Sequence, residues 1–337
     1  MSSVNRRARR GFTLTEMMVA SVILSILVLA VMPVLRLSQQ GFSSMEARND
    51  MKSEGEAAMN KVGHKLTECK RLFENTAADN AFLAKATFAT AAVMSGSHLA
   101  AIEETGSISP STGTFVASSV GNELFFASVV PAADVTALDS GGVSRSVRID
   151  LYVFNAYYLA LDQSKKVAGQ TRRVLRDWHS APYADYNQVT ALTDATLKNN
   201  VAKALVNSKG ISYCFNPSTG VATAAFYSIN GASGALTLQA AHTIAQSSSS
   251  EMIKFNTGLT LGGFRYGVAP DVTANVSHPV PEFGTASGNF PSGFEIVAVG
   301  PNSARQVFVR MVMAAEGTFP GTMTSEQVLL TTVRDLW

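Results

Sequence analysis

Five histidines and two cysteines are the obvious reactive residues of this sequence, and their spacing offers little chemistry. The histidines are His64, His98, His179, His242 and His278, and none stands in an HExxH or comparable ligand spacing. Asp177-Trp178-His179 sets a carboxylate two residues from an imidazole. On a strand the two share a face. They could serve acid–base or metal chemistry there, but a hydrogen-bonded or solvent-facing pair is the expectation. Cys69 and Cys214 are the only cysteines, so the CxxC spacing of thiolate zinc and redox sites is missing. In an oxidising compartment they could form a disulfide worth about 4–5 kcal/mol in the chain-entropy account. Two separate buried thiols fit the sequence equally.

Other motifs are as sparse. No GxSxG elbow, phosphate-binding GxxxxGK[ST] or GxGxxG occurs, and no DxDxDG calcium run either. The glycines of Gly262 to Gly267 read as a tight turn between strands. Asn275-Val276-Ser277 matches a glycosylation acceptor, a short and common pattern. Lys165, Lys166, Arg172, Arg173 and Arg176 cluster near Tyr157, Tyr158 and Trp178, a mixture that would suit single-stranded nucleic acid. The cluster is small, so a solvated hairpin is expected and nucleic acid is not an expected partner. The sequence therefore points to no enzyme, no cofactor and no metal.

The elements that would carry these residues follow from bulk properties. The chain has 337 residues, 46% hydrophobic and 15% charged. A typical soluble chain is about 25% charged, so a secreted, β-rich surface fits better than a cytosolic enzyme. The net charge is +2, but Arg6, Arg7, Arg9 and Arg10 all precede Phe12 with no acidic residue among them. Removing that segment leaves −2, so the basic character belongs to the leader.

From Met17 to Leu35 the sequence carries no charge. That length approaches the ~20 residues a helix needs to cross a bilayer. Arginines on the N-terminal side predict the N-terminus inside and the remainder outside. An ordinary signal peptide is cut after its apolar stretch at small residues. Here Met32-Pro33-Val34-Leu35-Arg36 follows instead, and Glu16 lies in the first turn or so of the helix. A carboxylate in such a place is costly unless paired, or it can snorkel to water from the interface. Pro33 lacks a backbone donor and crowds the carbonyl of Leu29, which predicts a kink or local melting over residues 29–33.

The run Arg10-Gly11-Phe12-Thr13-Leu14-Thr15-Glu16 resembles the leader of type IV pilins and type II secretion pseudopilins. The resemblance covers roughly residues 6–45. It implies cleavage between Gly11 and Phe12 by a prepilin peptidase on the cytoplasmic face, then N-methylation of Phe12. It also implies a filament-assembly role for Glu16, paired with the Phe12 amine of a neighbour, and a family position for Pro33. The implied partners are other pilin or pseudopilin subunits, an inner-membrane assembly platform and the lipid bilayer. The implied location is a single-pass inner-membrane protein with its head in the periplasm, later part of a pilus or pseudopilus.

After Arg36, Met59, Val62, Leu66, Cys69 and Phe73 recur at three and four residues between charged positions. Met45 and Phe42 stand on an earlier stretch. This predicts an amphipathic helix continuing to residue 75, with Gly41, Gly55 and Gly63 marking close packing or bends. Beyond it the period becomes two. Expected strands are Leu124 to Val130, ended by Pro131, and Ser146 to Val153. Expected hairpins join Tyr157–Leu161 to Thr171–Leu175, Ser212–Phe215 to Ala222–Tyr227, and Phe294–Val299 to Gln306–Ala314. Val328 to Val333 is a last strand, and a helix is expected over Ala195–Val206 behind the cap Asp194. Gly106–Gly113, Ser140–Gly142, Gln246–Ser250 and Val268–Ser292 read as loops.

The fold class is thus α+β and pilin-like: a long N-terminal helix packed on an antiparallel sheet. The organisation is leader 1–11, transmembrane helix 12–36, amphipathic helix 37–75 and head 76–337. That layout resembles minor pilins and the larger minor pseudopilins of the PilW and GspJ type. A bulky head packs poorly into a repeating lattice, so a low-abundance subunit is expected. The alternative is an anchored filament-tip protein that captures DNA, a surface or a secreted substrate.

Overall fold

Helix α1 (Leu14–Thr67) is the first element and the longest helix. The computed structural model describes residues 13–105, 119–167, 169–217, 225–253, 265–270, 293–316 and 323–334. The architecture is α+β, with the long apolar helix followed by a large mixed sheet. The chain divides into two units, residues 1–49 and 50–337.

The first unit is the N-terminal part of α1. Its side chains from Leu14 to Leu37 are exposed on every side of the helix. A helix apolar all round is suited to lipid or to other helices, not to a water-facing surface. Residues 29–33 are helical and α1 runs unbroken through Pro33. The melting expected there is absent, because a helix this long supplies bonded turns on both sides of the one missing donor.

The second unit holds the rest of α1 and the head. After α1 come β1 (Cys69–Leu72), α2 (Ala77–Leu83), β2 (Ile102–Glu103), β3 (Leu124–Leu138), β4 (Ser144–Val167) and β5 (Gln170–Ser180). Then follow β6 (Tyr183–Asp185), α3 (Tyr186–Thr190), α4 (Ala195–Lys209), β7 (Tyr213–Asn216), β8 (Ala225–Ile229) and β9 (Leu236–Leu238). The last are β10 (Gln246–Glu251), β11 (Arg265–Val268), β12 (Phe294–Val299), β13 (Arg305–Glu316) and β14 (Met323–Val333). The described strands form one sheet in the order β2-β12-β13-β11-β5-β4-β6-β7-β8-β9. β14 pairs with β13, β10 with β5, β3 with β4, and β1 with β3. β2 with β12 and β6 with β7 are parallel, so the sheet is mixed and not purely antiparallel.

Met51, Ala58, Met59, Val62 and Leu66 of α1 are buried with Leu159, Leu175, Val309, Met311 and Met313 on one face of this sheet. Gly55 and Gly63 belong to that contact. A Cβ on Gly55 would stand 2.9 Å from the Met313 sulfur, and one on Gly63 would stand 3.1 Å from Leu329 Cδ1. The opposite face carries an aromatic cluster including Phe73, Phe82, Phe125, Phe154, Phe215, Phe226 and Trp178. A third cluster joins Val201, Ala202 and Leu205 of α4 to Val135, Ile149 and Cys214.

The three expected hairpins are present as β4–β5, β7–β8 and β12–β13. α4 starts at its expected cap, Asp194, whose carboxylate accepts from the amides of Thr196 and Leu197. Three local expectations change, and the loop expected at Ser140–Gly142 is present. The helix stops at Thr67, and Cys69–Leu72 pairs with β3; a spacing of three and four placed Cys69 and Phe73 on a helical stripe, but strand pairing prevails over local period. Strand β3 does not end at Pro131. It continues to Leu138 with a register shift between Val130 and Ala133, the bulge at which a strand tolerates a missing donor. The serine run expected as a loop is strand β10, because β5 offers it a partner edge. Ser140–Gly142 is the β3–β4 turn, closed by the Asp139 carboxylate accepting from the Gly141 and Val143 amides. Gly106–Gly113, most of Val268–Ser292 and Asn275-Val276-Ser277 lie outside the described residues.

Candidate assembly site at the N-terminal helix

Local chemistry at the start of α1 explains why it begins where it does. Thr13 is the last residue before the helix, and its carbonyl accepts the first helical bond from Met17 N–H at 3.1 Å. The Glu16 carboxylate accepts from the Thr13 amide at 2.9 Å and from the Thr13 hydroxyl at 3.0 Å. In return Glu16 N–H donates to the Thr13 hydroxyl at 3.3 Å. This reciprocal pair is a capping box. It satisfies orphan helix donors and sets a negative charge at the positive end of the helix dipole. The role of Thr13 was missed in the sequence, although T-x-x-E before an apolar run is the signature of such a box.

The remaining polar groups of the apolar stretch are silenced internally. The Ser21 hydroxyl donates to the Met18 carbonyl and the Ser25 hydroxyl to the Ser21 carbonyl, both at 2.8 Å. Such back-bonding satisfies a hydroxyl without water. Glu16 is left as the one ionisable group between Leu14 and Leu35. The helix is long and apolar enough to cross a membrane, and its apolar window is exposed. Gly11 and Phe12, the expected processing residues, lie outside the described residues.

Residues 6–32 match the family model described as the prokaryotic N-terminal methylation motif. The chain carries a type IV pilin-like prepilin leader. The motif supports a pilin-type or pseudopilin-type subunit in general, and its family is structural, not catalytic. It implies processing by prepilin peptidase and assembly with other pilins, and the single apolar helix fits a single-pass anchor. No curated protein and no solved structure matches the chain.

The other expected sites resolve differently. Cys69 and Cys214 are both buried and are not joined to each other. They sit in separate clusters, Cys69 with the helix-facing core and Cys214 beneath α4, so the disulfide is not made. Burial pushes the Cys214 thiol up to about 12, which keeps it a small hydrophobe. The basic cluster divides: Lys166 is exposed on the β4–β5 hairpin and Lys165 partly so, as expected, but two of the arginines are buried. Arg172 is fully buried and donates to the carbonyls of Tyr266 at 2.8 Å and Ile253 at 2.9 Å, with Glu251 as its ion partner. Arg173 is buried beside Gln170, to which it donates at 3.0 Å. Gly267 permits this: a Cβ there would lie 2.7 Å from the Arg173 carbonyl. Asp177 and His179 do meet, and a lysine of α1 joins them. Among the described residues no group of three or more His, Cys, Asp or Glu is placed to hold a metal.

Proposed function

We propose that this chain is a minor subunit of a type IV pilus or type II secretion filament. It is cut between Gly11 and Phe12, N-methylated on Phe12, and held in the inner membrane by residues 12–36 with its head in the periplasm. The observation that carries this reading is one helix with two contrasting stretches. Residues 14–35 are apolar and exposed all round, with one carboxylate at the extreme N-terminal turn, while the later turns are docked on a folded head. A discarded signal would not be continuous with a packed core helix.

Cleavage would create a free amine at Phe12, one turn from Glu16. In low dielectric an amine from a neighbouring subunit is the natural counter-charge for that carboxylate. The capping box gives Glu16 an intramolecular role before any neighbour arrives. Assembly then exchanges or shares an existing set of bonds instead of first exposing a bare charge. Pro33 has freed one carbonyl within the apolar stretch, and neighbouring helices can approach it there.

Mass spectrometry of the mature protein tests the reading. The expected N-terminal peptide begins at Phe12 and is heavier by one methyl group. An intact leader, or a cut beyond the apolar stretch, would overturn the proposal.

A further inference from the structure

Residues 84–101 run between α2 and β2 without forming a helix or strand of their own. They lie against the aromatic cluster, into which Ala86, Phe88, Ala91, Val93 and Leu99 pack. Side chains of the sheet hold this cover from below. The Trp178 indole donates to the Thr87 carbonyl at 2.9 Å, and the Tyr158 hydroxyl to the Ala91 carbonyl at 2.9 Å. The Gln246 amide donates to the Thr90 hydroxyl at 2.7 Å. The Phe88 ring rests on Tyr158 and Trp178, with centroids 4.7 and 5.5 Å away. The backbone amides of Thr87 and Met94 donate to the carbonyls of Ile244 and Leu159 at 3.0 and 2.7 Å.

Glu123 lies at the far end of this cover. Its amide donates to the His98 carbonyl at 3.1 Å, and Leu99 forms a bridge to it. Glu123 is 4% exposed, its Oε1 has no hydrogen-bond partner, and its carboxyl acts on the Tyr158 hydroxyl. An ionised carboxylate in such a place is strongly disfavoured unless a cation or donors meet it. The charges around it are set against other groups. On β5, Arg176 stands opposite Tyr158 and acts on that hydroxyl. On β10, Glu251 stands opposite Arg176 and pairs with Arg172. On β12, which meets Gly121 at Ile296, Glu295 pairs with Arg310 at 2.6 Å. Within the cover, Lys85 lies over the Phe82 ring at 5.6 Å, and His98 Nδ1 lies 3.0 Å from the Leu99 carbonyl. Burial therefore prevails at Glu123 and raises its pKa from 4.5 to about 7.

We infer that residues 84–101 are a proton-controlled cover, shut over Tyr158 and Trp178 while Glu123 keeps its proton and released as Glu123 ionises. The closed cover holds the acid neutral. The open cover admits water to it and returns it to its ordinary range. Opening therefore becomes easier by about tenfold per pH unit from 4.5 up to about 7. Above that the gain levels off, because the closed form ionises as well. Opening bares the Phe88, Tyr158 and Trp178 rings, while the α1-facing core on the other side of the sheet stays packed.

The test follows hydrogen exchange at the Thr87 and Met94 amides of the full chain in detergent micelles, corrected for intrinsic exchange. Between about pH 5 and about pH 7 the wild type should lose up to about a hundredfold in protection at both amides. Glu123→Gln should lose almost none. Low denaturant should leave both rates unchanged, while the Val62 and Leu66 amides of the helix–sheet core exchange faster with it. Protection that stays flat with pH in the wild type, or Thr87 and Met94 exchanging in step with Val62 and Leu66, would overturn the inference. The ¹³C signal of the Glu123 carboxyl gives a second reading that needs no variant. It should titrate at about pH 7, and a midpoint at the ordinary 4.5 would equally overturn the inference, even if Glu123→Gln fails to fold.

Discussion

The two halves of α1 are chemically opposite although one continuous helix carries both. In the N-terminal half nearly every side chain is apolar and exposed. In the C-terminal half, Met51, Gly55, Ala58, Met59, Val62, Gly63 and Leu66 form one buried stripe, while Lys52, Glu56 and Asn60 face outward. The second pattern is complete within one chain. The first is not, because its apolar surface has no complement among the described residues and calls for lipid or other helices. A stripe with its partner present reports folding, and an apolar surface without one reports assembly.

The largest expected effect strikes the N-terminal half. Glu16→Ala should reduce filament incorporation nearly to nothing while the thermal midpoint of the head stays unchanged. Filament yield and calorimetry on the same preparation check both. If yield survives, the asymmetry between the halves carries no functional meaning. Conversely, Phe154→Ala should cost the head about 3–5 kcal/mol. Its ring is fully buried among Phe125, Phe215 and Tyr183, with centroids 4.9–6.0 Å away. Processing at Gly11 should be unaffected in a chain that still folds, as denaturation curves and mature mass would show.

A pH measurement sharpens the contrast next. Glu123 is buried, with one carboxyl oxygen unbonded, and burial raises its pKa from 4.5 to about 7. The folded acid stays neutral while the unfolded one ionises, so the head loses stability as pH rises from 4.5 through about 7. Glu123→Gln should escape that loss, and the gap between the proteins should grow across this window to at most about 3 kcal/mol. Parallel curves in denaturant would refute it.

The smallest effects compare glycines of one helix. Gly55→Leu forces side-chain atoms into Met313 and Gln327 and should cost about 1–3 kcal/mol. Gly41 has nothing within 4 Å of a Cβ, so Gly41→Ala should add up to about 1 kcal/mol of helix stability in the isolated subunit. If Gly41→Ala instead impairs filament incorporation, that glycine faces a neighbour. Unfolding curves and filament yield separate the two outcomes.

Much of this was legible locally. The arginine leader, the uncharged run from Met17 to Leu35 and the register of Glu16 follow from charge and length alone. Asp194 before α4 follows from capping chemistry, and the β4–β5, β7–β8 and β12–β13 hairpins from alternation. What escaped was set by partners far along the chain. The serines 247–250 look like a loop until β5 lends them an edge. Arg172 looks solvated until Tyr266, Ile253 and Glu251 surround it, and Lys61 gives no sign that it will meet Asp177.

By itself the sequence determined that an apolar helix behind a basic N-terminal segment precedes a β-rich head, because net charge, hydrophobic run length and period are properties of neighbouring residues. Only the tertiary structure decided that Cys69 ends in a strand, that Cys69 and Cys214 stay apart, and that Asp177 is shared between Lys61 and His179. A buried polar group is defined by what surrounds it, and those surroundings come from strands and helices brought together only by folding.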